Sequence, residues 1–102
     1  MELYISGCID EYNNIFSNYN TVSFDEANCV LILPGGLGCL NDLFKSINMK
    51  KRVILFNYNF FYTPIIKKLY EMYKDGYEDK VPSEYMEIES EIDKIIEKLE
   101  EK

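Results

Sequence analysis

The sequence predicts an α/β domain of three layers, with a mostly parallel sheet of about four or five strands and about three main helices. Two apolar runs, Cys29–Leu33 and Arg52–Asn57, lack the alternation of a half-exposed strand. Such continuous runs are typical of strands buried on both faces of a parallel sheet. A helical pattern of apolar residues follows each run, and strands that alternate with helices indicate βαβ units.

Composition excludes several classes of function. The chain has 102 residues and a formal net charge of −7, so we expect one domain over residues 1–102 and no nucleic-acid polymer as partner, since that needs clustered Lys and Arg. It contains no His, and its three Cys form no C-x-x-C pair, which excludes His-based catalysis and indicates reduced thiols. We expect no metal, no cofactor, no membrane partner and a cytoplasmic location.

The first third of the chain predicts short elements. Glu2–Cys8 alternates well enough for a strand, which Ser6-Gly7 ends. Polar residues then indicate a loop with at most a short helix near Glu11–Phe16. Thr21–Phe24 predicts a short strand.

The middle of the chain predicts two helices. The first runs from about Leu37 to Asn48. The second opens at Thr63-Pro64, because threonine caps a helix and proline suits its first position, and Gly76 ends it. The inner stripe of the first helix comprises Leu40, Leu43, Phe44 and Ile47. The apolar face of the second comprises Ile65, Ile66, Leu69, Tyr70 and Tyr73.

The last part predicts one more strand and one more helix. Tyr85–Ile88 has the composition of a short strand, and Ser90–Asp93 resembles a capping box at the start of a helix. The apolar stripe of that third helix comprises Ile92, Ile95, Ile96 and Leu99.

A glycine-rich segment, Pro34-Gly35-Gly36-Leu37-Gly38, lies between the first apolar run and the first long helix. Glycines let a backbone turn sharply and let a ligand approach its N–H groups. The first-turn N–H groups of the following helix have no partner within the helix, and they attract anions such as phosphate. The segment therefore predicts an anion site at the carboxyl edge of the sheet.

At this segment the chain resembles the lonely-guy family, formerly described as lysine decarboxylases, which has a Rossmann-like fold and the signature P-G-G-x-G-T-x-x-E. The resemblance continues through Arg52–Asn57 and Phe61–Ile66, and more faintly through Ile88–Leu99. It implies hydrolysis of nucleoside 5′-monophosphates to a free base and ribose 5-phosphate. Minimal relatives of the SLOG type act as sensors of nucleotide signals in bacterial defence systems.

Three features differ from that family pattern. Cys39 stands where the family has threonine, Asp42 stands where it has the catalytic glutamate, and no arginine precedes Arg52 although the family's catalytic arginine lies upstream of the loop. Cleavage of an N-glycosidic bond needs a well-placed carboxylate and a cation on the phosphate. The differences favour a ligand-binding member without efficient catalysis.

We expect the ligand site to combine the glycine-rich loop with the end of the first strand. The candidate phosphate-binding residues are Ser6, Gly7, Gly35, Gly36, Leu37, Gly38 and Cys39. Asp42 is the catalytic carboxylate only if the chain is an enzyme. Otherwise it is a ribose-binding carboxylate or an ordinary acidic residue near a helix start, and both alternatives stay open. Cys39 is interpreted as a packed thiol, because the chain offers no His as its base. Asn57 and Tyr58 follow a strand at the same edge and are candidates for contact with a base or ribose.

Three hypotheses of function remain open at the level of sequence. The leading one is binding of a nucleotide or nucleotide-derived signalling molecule, such as an ADP-ribose-like or cyclic nucleotide, by a sensor, carrier or sponge. The second is an active nucleoside 5′-monophosphate phosphoribohydrolase that uses Asp42. The third is a structural or interaction domain with a vestigial loop. The many Tyr residues and the small sheet also predict a homodimer or higher homo-oligomer.

Overall fold

The computed structural model describes residues 1–100. In this range four parallel strands form one sheet, and helices cover both of its faces, which confirms the predicted small Rossmann-like α/β fold. The strands are β1 (Leu3–Ser6), β2 (Cys29–Ile32), β3 (Arg52–Phe56) and β4 (Glu87–Glu89). The helices are α1 (Asn13–Phe16), α2 (Leu37–Asn48), α3 (Thr63–Lys74) and α4 (Ile92–Glu100), and 3-10 turns occupy Asp10–Tyr12, Tyr58–Phe60 and Pro82–Glu84.

The strands follow each other across the sheet in the order β1-β2-β3-β4. Leu3 lies opposite Cys29, and Cys29 lies opposite Arg52. An isolated parallel bridge also joins Leu3 to Thr21. Since β2 occupies the inner edge of β1, Thr21 lies on the outer edge. The chain therefore leaves β1 in one direction and then crosses back to β2, and such a reversal is a topological switch point of an open α/β sheet.

The predicted strand over Thr21–Phe24 is wrong beyond that single bridge. The Val22 N–H still donates to the Leu3 carbonyl at 2.9 Å, and the side chains of Val22 and Phe24 pack against the core on the α2 face. The ring of Phe24 meets that of Tyr4 edge-on, with centroids 5.6 Å apart, and the Lys51 ammonium lies 4.9 Å from the same ring. Packing of these side chains against the core competes with extension of the strand, so pairing with β1 ends at the Val22 N–H.

Each face of the sheet has its own apolar core. Successive residues of β2 alternate between the two cores, which explains why its apolar run is continuous. The core beneath α1 and α4 contains Leu3, Phe16, Cys29, Leu31, Leu33, Ile54, Phe56, Ile95 and Leu99. The core beneath α2 and α3 contains Ala27, Val30, Ile32, Cys39, Leu43, Val53, Leu55, Tyr62 and Met86.

The bounds of α2 agree with the sequence prediction, but its buried face is rotated from the predicted one. The fully or nearly buried positions are Cys39, Leu43 and Ser46, whereas Phe44 is exposed. The Ser46 hydroxyl tolerates burial because it donates a hydrogen bond of 2.6 Å to the Asp42 carbonyl one turn earlier. This rotation brings the Cys39 thiol under the glycine-rich loop.

The start of α3 also differs in detail from the prediction. Thr63 is the first residue of the helix and not its cap, and Tyr62 holds the capping position without a side-chain hydrogen bond. The Thr63 hydroxyl instead accepts a hydrogen bond of 2.9 Å from the Asn57 amide. Across residues 1–100, no helix combines the length and the apolar character needed to cross a membrane.

Candidate functional site

The segments that follow β1 and β2 meet at the switch point and line a shallow cavity of about 500 Å³ that is wide open to solvent. A cavity of this size is within the range that small ligands occupy. The lining residues are Ser6, Gly7, Cys8, Pro34, Gly35, Gly36, Gly38, Cys39 and Asp42. The structure thus brings together most of the residues that the sequence nominated for phosphate binding. The residue that does not line this cavity is Leu37.

The base of the glycine-rich loop is fixed at Leu33, the last residue before the loop. Its N–H donates to the Ser6 carbonyl at 2.8 Å, which continues the β1–β2 pairing by one step. Its carbonyl accepts a hydrogen bond of 2.7 Å from the Tyr62 hydroxyl. Tyr62 is fully buried, and that burial raises the pKa of its hydroxyl well above the usual range. The Tyr62 hydroxyl therefore stays protonated and keeps donating.

Two of the glycines make room for the Cys39 thiol. A Cβ at Gly35 would overlap the Cys39 sulfur, and a Cβ at Gly7 would lie 2.9 Å from it. Gly7 also has a φ of +90°, a backbone conformation that residues other than glycine rarely adopt. The packing of the protein itself therefore accounts for Gly7 and Gly35. It equally accounts for Cys39, whose thiol is almost fully buried between them.

The other two glycines have a different environment. A Cβ at Gly36 or at Gly38 would meet nothing within 4 Å. Gly36 is the capping residue of α2, and because it is glycine it has no side chain that could bind the N–H groups at the helix start. The N–H groups of Leu37 and Gly38, the first two residues of the helix, precede its first internal hydrogen bond, whereas the Cys39 N–H already donates to the Gly36 carbonyl at 3.1 Å. Backbone donors and open space therefore coincide at Gly36 and Gly38, where an anion can approach.

A carboxylate closes the side of the cavity next to β1. The Ser6 hydroxyl donates a hydrogen bond of 2.6 Å to Asp42 Oδ2, and the Tyr4 hydroxyl lies 3.5 Å from the same oxygen. The Cys39 sulfur lies 3.5 Å from the Ser6 hydroxyl, but that hydroxyl has a single proton, which the shorter bond uses. The pKa of the Tyr4 hydroxyl is raised, mainly because the group is partly buried and secondly because the charge of Asp42 lies near it.

The two candidate base contacts, Asn57 and Tyr58, lie elsewhere. The Asn57 amide is buried and occupied, because its oxygen accepts from the Tyr62 N–H at 2.7 Å and its nitrogen donates to Thr63. Tyr58 packs on the α1 side of the sheet, where its hydroxyl donates to Glu11 at 2.8 Å. It lines a separate cavity beside the start of α4. Their contact with a ligand stays a prediction.

Two basic residues, Lys51 and Arg52, lie at the opposite, amino edge of the sheet. Arg52 begins β3 and binds Glu87 through two hydrogen bonds of 2.6 and 2.9 Å. Lys51 donates to the carbonyls of Phe24 and Ala27. The residues that line the switch-point cavity include neither Lys nor Arg. Among residues 1–100, no group of three or more Cys, Asp or Glu side chains is placed to hold a metal ion.

Two residues of the site were missed at the sequence level. Tyr4 could have been found, because residues two apart on a strand share a face and Ser6 was already a candidate. Tyr62 carried no such signal, since it stands in a run of aromatic residues of which any could have turned inward.

The strand β2, the glycine-rich loop and the N-terminus of α2 all lie within the part of the chain that one protein-family model matches. The family model described as "Possible lysine decarboxylase" matches residues 14–99. The chain belongs to this family. No match was found among curated proteins or among solved structures. The family match includes the glycine-rich loop and Asp42, whereas Ser6 and Gly7 precede it and rest on the geometry of the sheet alone.

Proposed function

We propose that this member of the possible lysine decarboxylase family binds a nucleotide or nucleotide-derived signalling molecule at the switch-point cavity, without efficient catalysis. The anionic group of the ligand lies over Gly36 and Gly38, within reach of the first-turn N–H groups of α2. A sensor, carrier or sponge would have this property. The proposal is supported by family membership together with the geometry of the loop.

One observation carries the proposal. Packing around Cys39 explains Gly7 and Gly35, but no atom of the described chain within 4 Å explains why Gly36 and Gly38 lack side chains. A helix start with no ligand to bind would be more stable by about a few tenths of a kcal/mol with Ser, Asp or Asn as its cap. Glycine at this cap keeps the backbone donors accessible to a ligand.

Asp42 is assigned to the ribose. Its carboxylate is held by Ser6 at the wall of the cavity, where it can accept hydrogen bonds from hydroxyl groups of a bound sugar. The negative charge of Asp42 opposes a phosphate placed directly beside it. The phosphate is therefore expected at the far side of the cavity, over Gly36, and the ribose between the two.

The first experiment is chromatography of a nucleotide panel incubated with excess protein, before and after heat denaturation. The panel contains AMP, ADP-ribose, cyclic ADP-ribose isomers and cyclic dinucleotides. We expect one compound to disappear from solution and to return intact on heating. Release of a free base with ribose 5-phosphate would instead identify a phosphoribohydrolase, and binding of nothing in the panel would contradict the proposal.

A substitution tests the position of the anion. Gly36→Asp places a carboxylate where the phosphate is expected, so it should abolish binding of the compound that the panel identifies. Gly36→Asn has nearly the same size without the charge and should lose much less affinity. Isothermal titration calorimetry of both variants separates charge from bulk. Unchanged affinity in Gly36→Asp would refute the proposed site.

A further inference from the structure

A second recess lies on the other side of the glycine-rich loop, between the N-termini of α2 and α3. Its volume is about 370 Å³. The lining residues are Gly35, Gly36, Leu37, Leu40, Phe61, Tyr62, Pro64 and Ile65. None of these side chains carries a charge. The recess shares Gly35 and Gly36 with the switch-point cavity, so a single ligand that lies across Gly36 can reach both.

Two apolar side chains around this recess are exposed to solvent, which is unfavourable for apolar groups. Leu37 is 85% exposed and Phe61 is 49% exposed. Phe61 is nevertheless held in place, because its ring meets the buried ring of Tyr62 edge-on with centroids 4.9 Å apart. Tyr62 is in turn anchored to the loop through the Leu33 carbonyl. About half of the Phe61 side chain is therefore accessible to a ligand beside the loop.

We infer that this recess binds the uncharged ring of a ligand whose diphosphate lies over Gly36, on the arm opposite the ribose assigned to Asp42, and that Phe61 determines the affinity for that ring. This inference rests on the proposed function. The lack of charge in the recess favours a flat aromatic group over a second phosphate. Aromatic side chains stack on nucleobases of every kind, because each base has a π-face. Phe61 is thus an aromatic contact that follows β3, whereas Tyr58 lines a different cavity.

The test compares two probes that differ only by the ring, ribose 5-phosphate and AMP, by isothermal titration calorimetry. We expect the wild-type protein to bind AMP at least about tenfold more tightly, since stacking on one aromatic side chain commonly contributes that much. In Phe61→Ala this advantage should disappear, while the affinity for ribose 5-phosphate should stay the same. Tyr70→Ala is the matched control, because Tyr70 is also 49% exposed but lies outside the recess.

Each result decides between the two proposals. If neither probe binds, the proposed function fails. If both bind equally and Phe61→Ala changes neither affinity, the recess is not a ring subsite, although the anion site remains. An equal loss of both probes in Phe61→Ala would show that the residue only supports the loop. A change of oligomeric state at constant AMP affinity would assign the recess to a protein contact instead.

Phe61→Leu covers the case in which Phe61→Ala does not fold. Leucine keeps most of the apolar volume but has no flat face to stack on a base. We expect Phe61→Leu to unfold at a similar urea concentration to the wild type and to lose most of the preference for AMP. Full retention of that preference in a folded Phe61→Leu protein would overturn the inference.

Discussion

Single residues of the loop differ in what constrains them. The Cys39 thiol lies between Gly7 and Gly35 and requires both to lack a side chain. Gly36 and Gly38 face open space and have no such neighbour. Packing therefore requires glycine at positions 7 and 35, whereas packing does not require it at positions 36 and 38.

The difference between these glycines can be measured as stability. Gly35→Ala should lower the free energy of unfolding by about 1–3 kcal/mol, the usual cost of overpacking. Gly36→Ala should change it by less than about 0.5 kcal/mol, since the added methyl group meets open space. Urea denaturation of the two variants checks both values. Equal destabilisation by the two substitutions would contradict the assigned roles.

Tyr62 provides a second test at the level of one residue. Tyr62→Phe removes the hydroxyl that binds the Leu33 carbonyl and leaves a buried acceptor unpaired, which costs about 1–3 kcal/mol. Thermal and urea denaturation measure this loss. Tyr73→Phe removes an equivalent hydroxyl from an exposed tyrosine of α3 and should have almost no effect. If both variants were as stable as the wild type, Tyr62 would not anchor the loop.

The sequence predicted much of this site, for a reason that can be stated. Parallel strands end at one edge of the sheet, so the residues after two neighbouring strands had to meet; Ser6, Gly7 and the loop were found in this way. The contacts of Tyr62 and the location of Tyr58 could not be predicted. They depend on which way a short aromatic connection turns after β3, and no periodicity governs that turn.

At the level of elements, the apolar pattern of α2 predicted where the helix begins and ends but not which face it buries. Its bounds were predicted because Gly35 and Gly36 precede it and the periodicity ends at Asn48. Its buried face was not, because Cys39 and Ser46 are not strongly apolar and the pattern gave more weight to Phe44. The small side chains of Cys39 and Ser46 let α2 pack closely against the sheet, and close packing favours this rotation of the helix.

A charged contact joins the elements at the amino edge of the sheet. Glu87 of β4 accepts two hydrogen bonds from Arg52 of β3 and one of 3.2 Å from Lys98 of α4. The hydrogen bonds from Arg52, aided by Lys98, hold the pKa of Glu87 below the ordinary value of 4.5. A carboxyl group with a lowered pKa in the folded state stabilises the fold above its unfolded pKa, and this contribution disappears as the pH falls through the folded pKa.

Glu87→Gln should therefore destabilise the protein in a pH-dependent way. At pH 7 we expect a loss of about 1 kcal/mol, at the upper end for a partly exposed ion pair. The difference from the wild type should shrink as the pH falls below 4.5, the ordinary pKa of the group. Urea denaturation at pH 7 and at pH 3 measures it. Glu71→Gln, which removes an exposed pair with Lys68, should show little change at either pH.

For the whole molecule, the distribution of apolar surface is the main unexplained property. A groove of about 610 Å³ runs between α2 and α3, and several large apolar side chains on and near these helices are exposed. They include Leu37, Phe44, Phe61, Tyr70, Tyr73 and Tyr77. Exposed apolar surface of this kind marks sites of interaction in soluble proteins.

We propose that the protein forms a homodimer or a higher homo-oligomer. Sedimentation velocity over a range of concentrations should give a mass of at least two chains of 12.1 kDa. Phe44→Lys places a charge in the groove and should shift the equilibrium toward the monomer. Tyr77→Lys adds the same charge at an exposed residue outside the groove and should not. A wild-type monomer at every concentration would contradict the proposal.

The order of the strands has a consequence for how the chain acquires its structure. Every strand pairs with the one that follows it along the chain, so pairing of the sheet needs only the closure of loops between consecutive strands. Parallel sheets ordinarily fold slowly because distant segments must meet first. After the single bridge of Thr21 at the outer edge of β1, each later strand adds to the edge left by the previous one. The sheet can therefore grow in the same direction in which a ribosome releases the polypeptide.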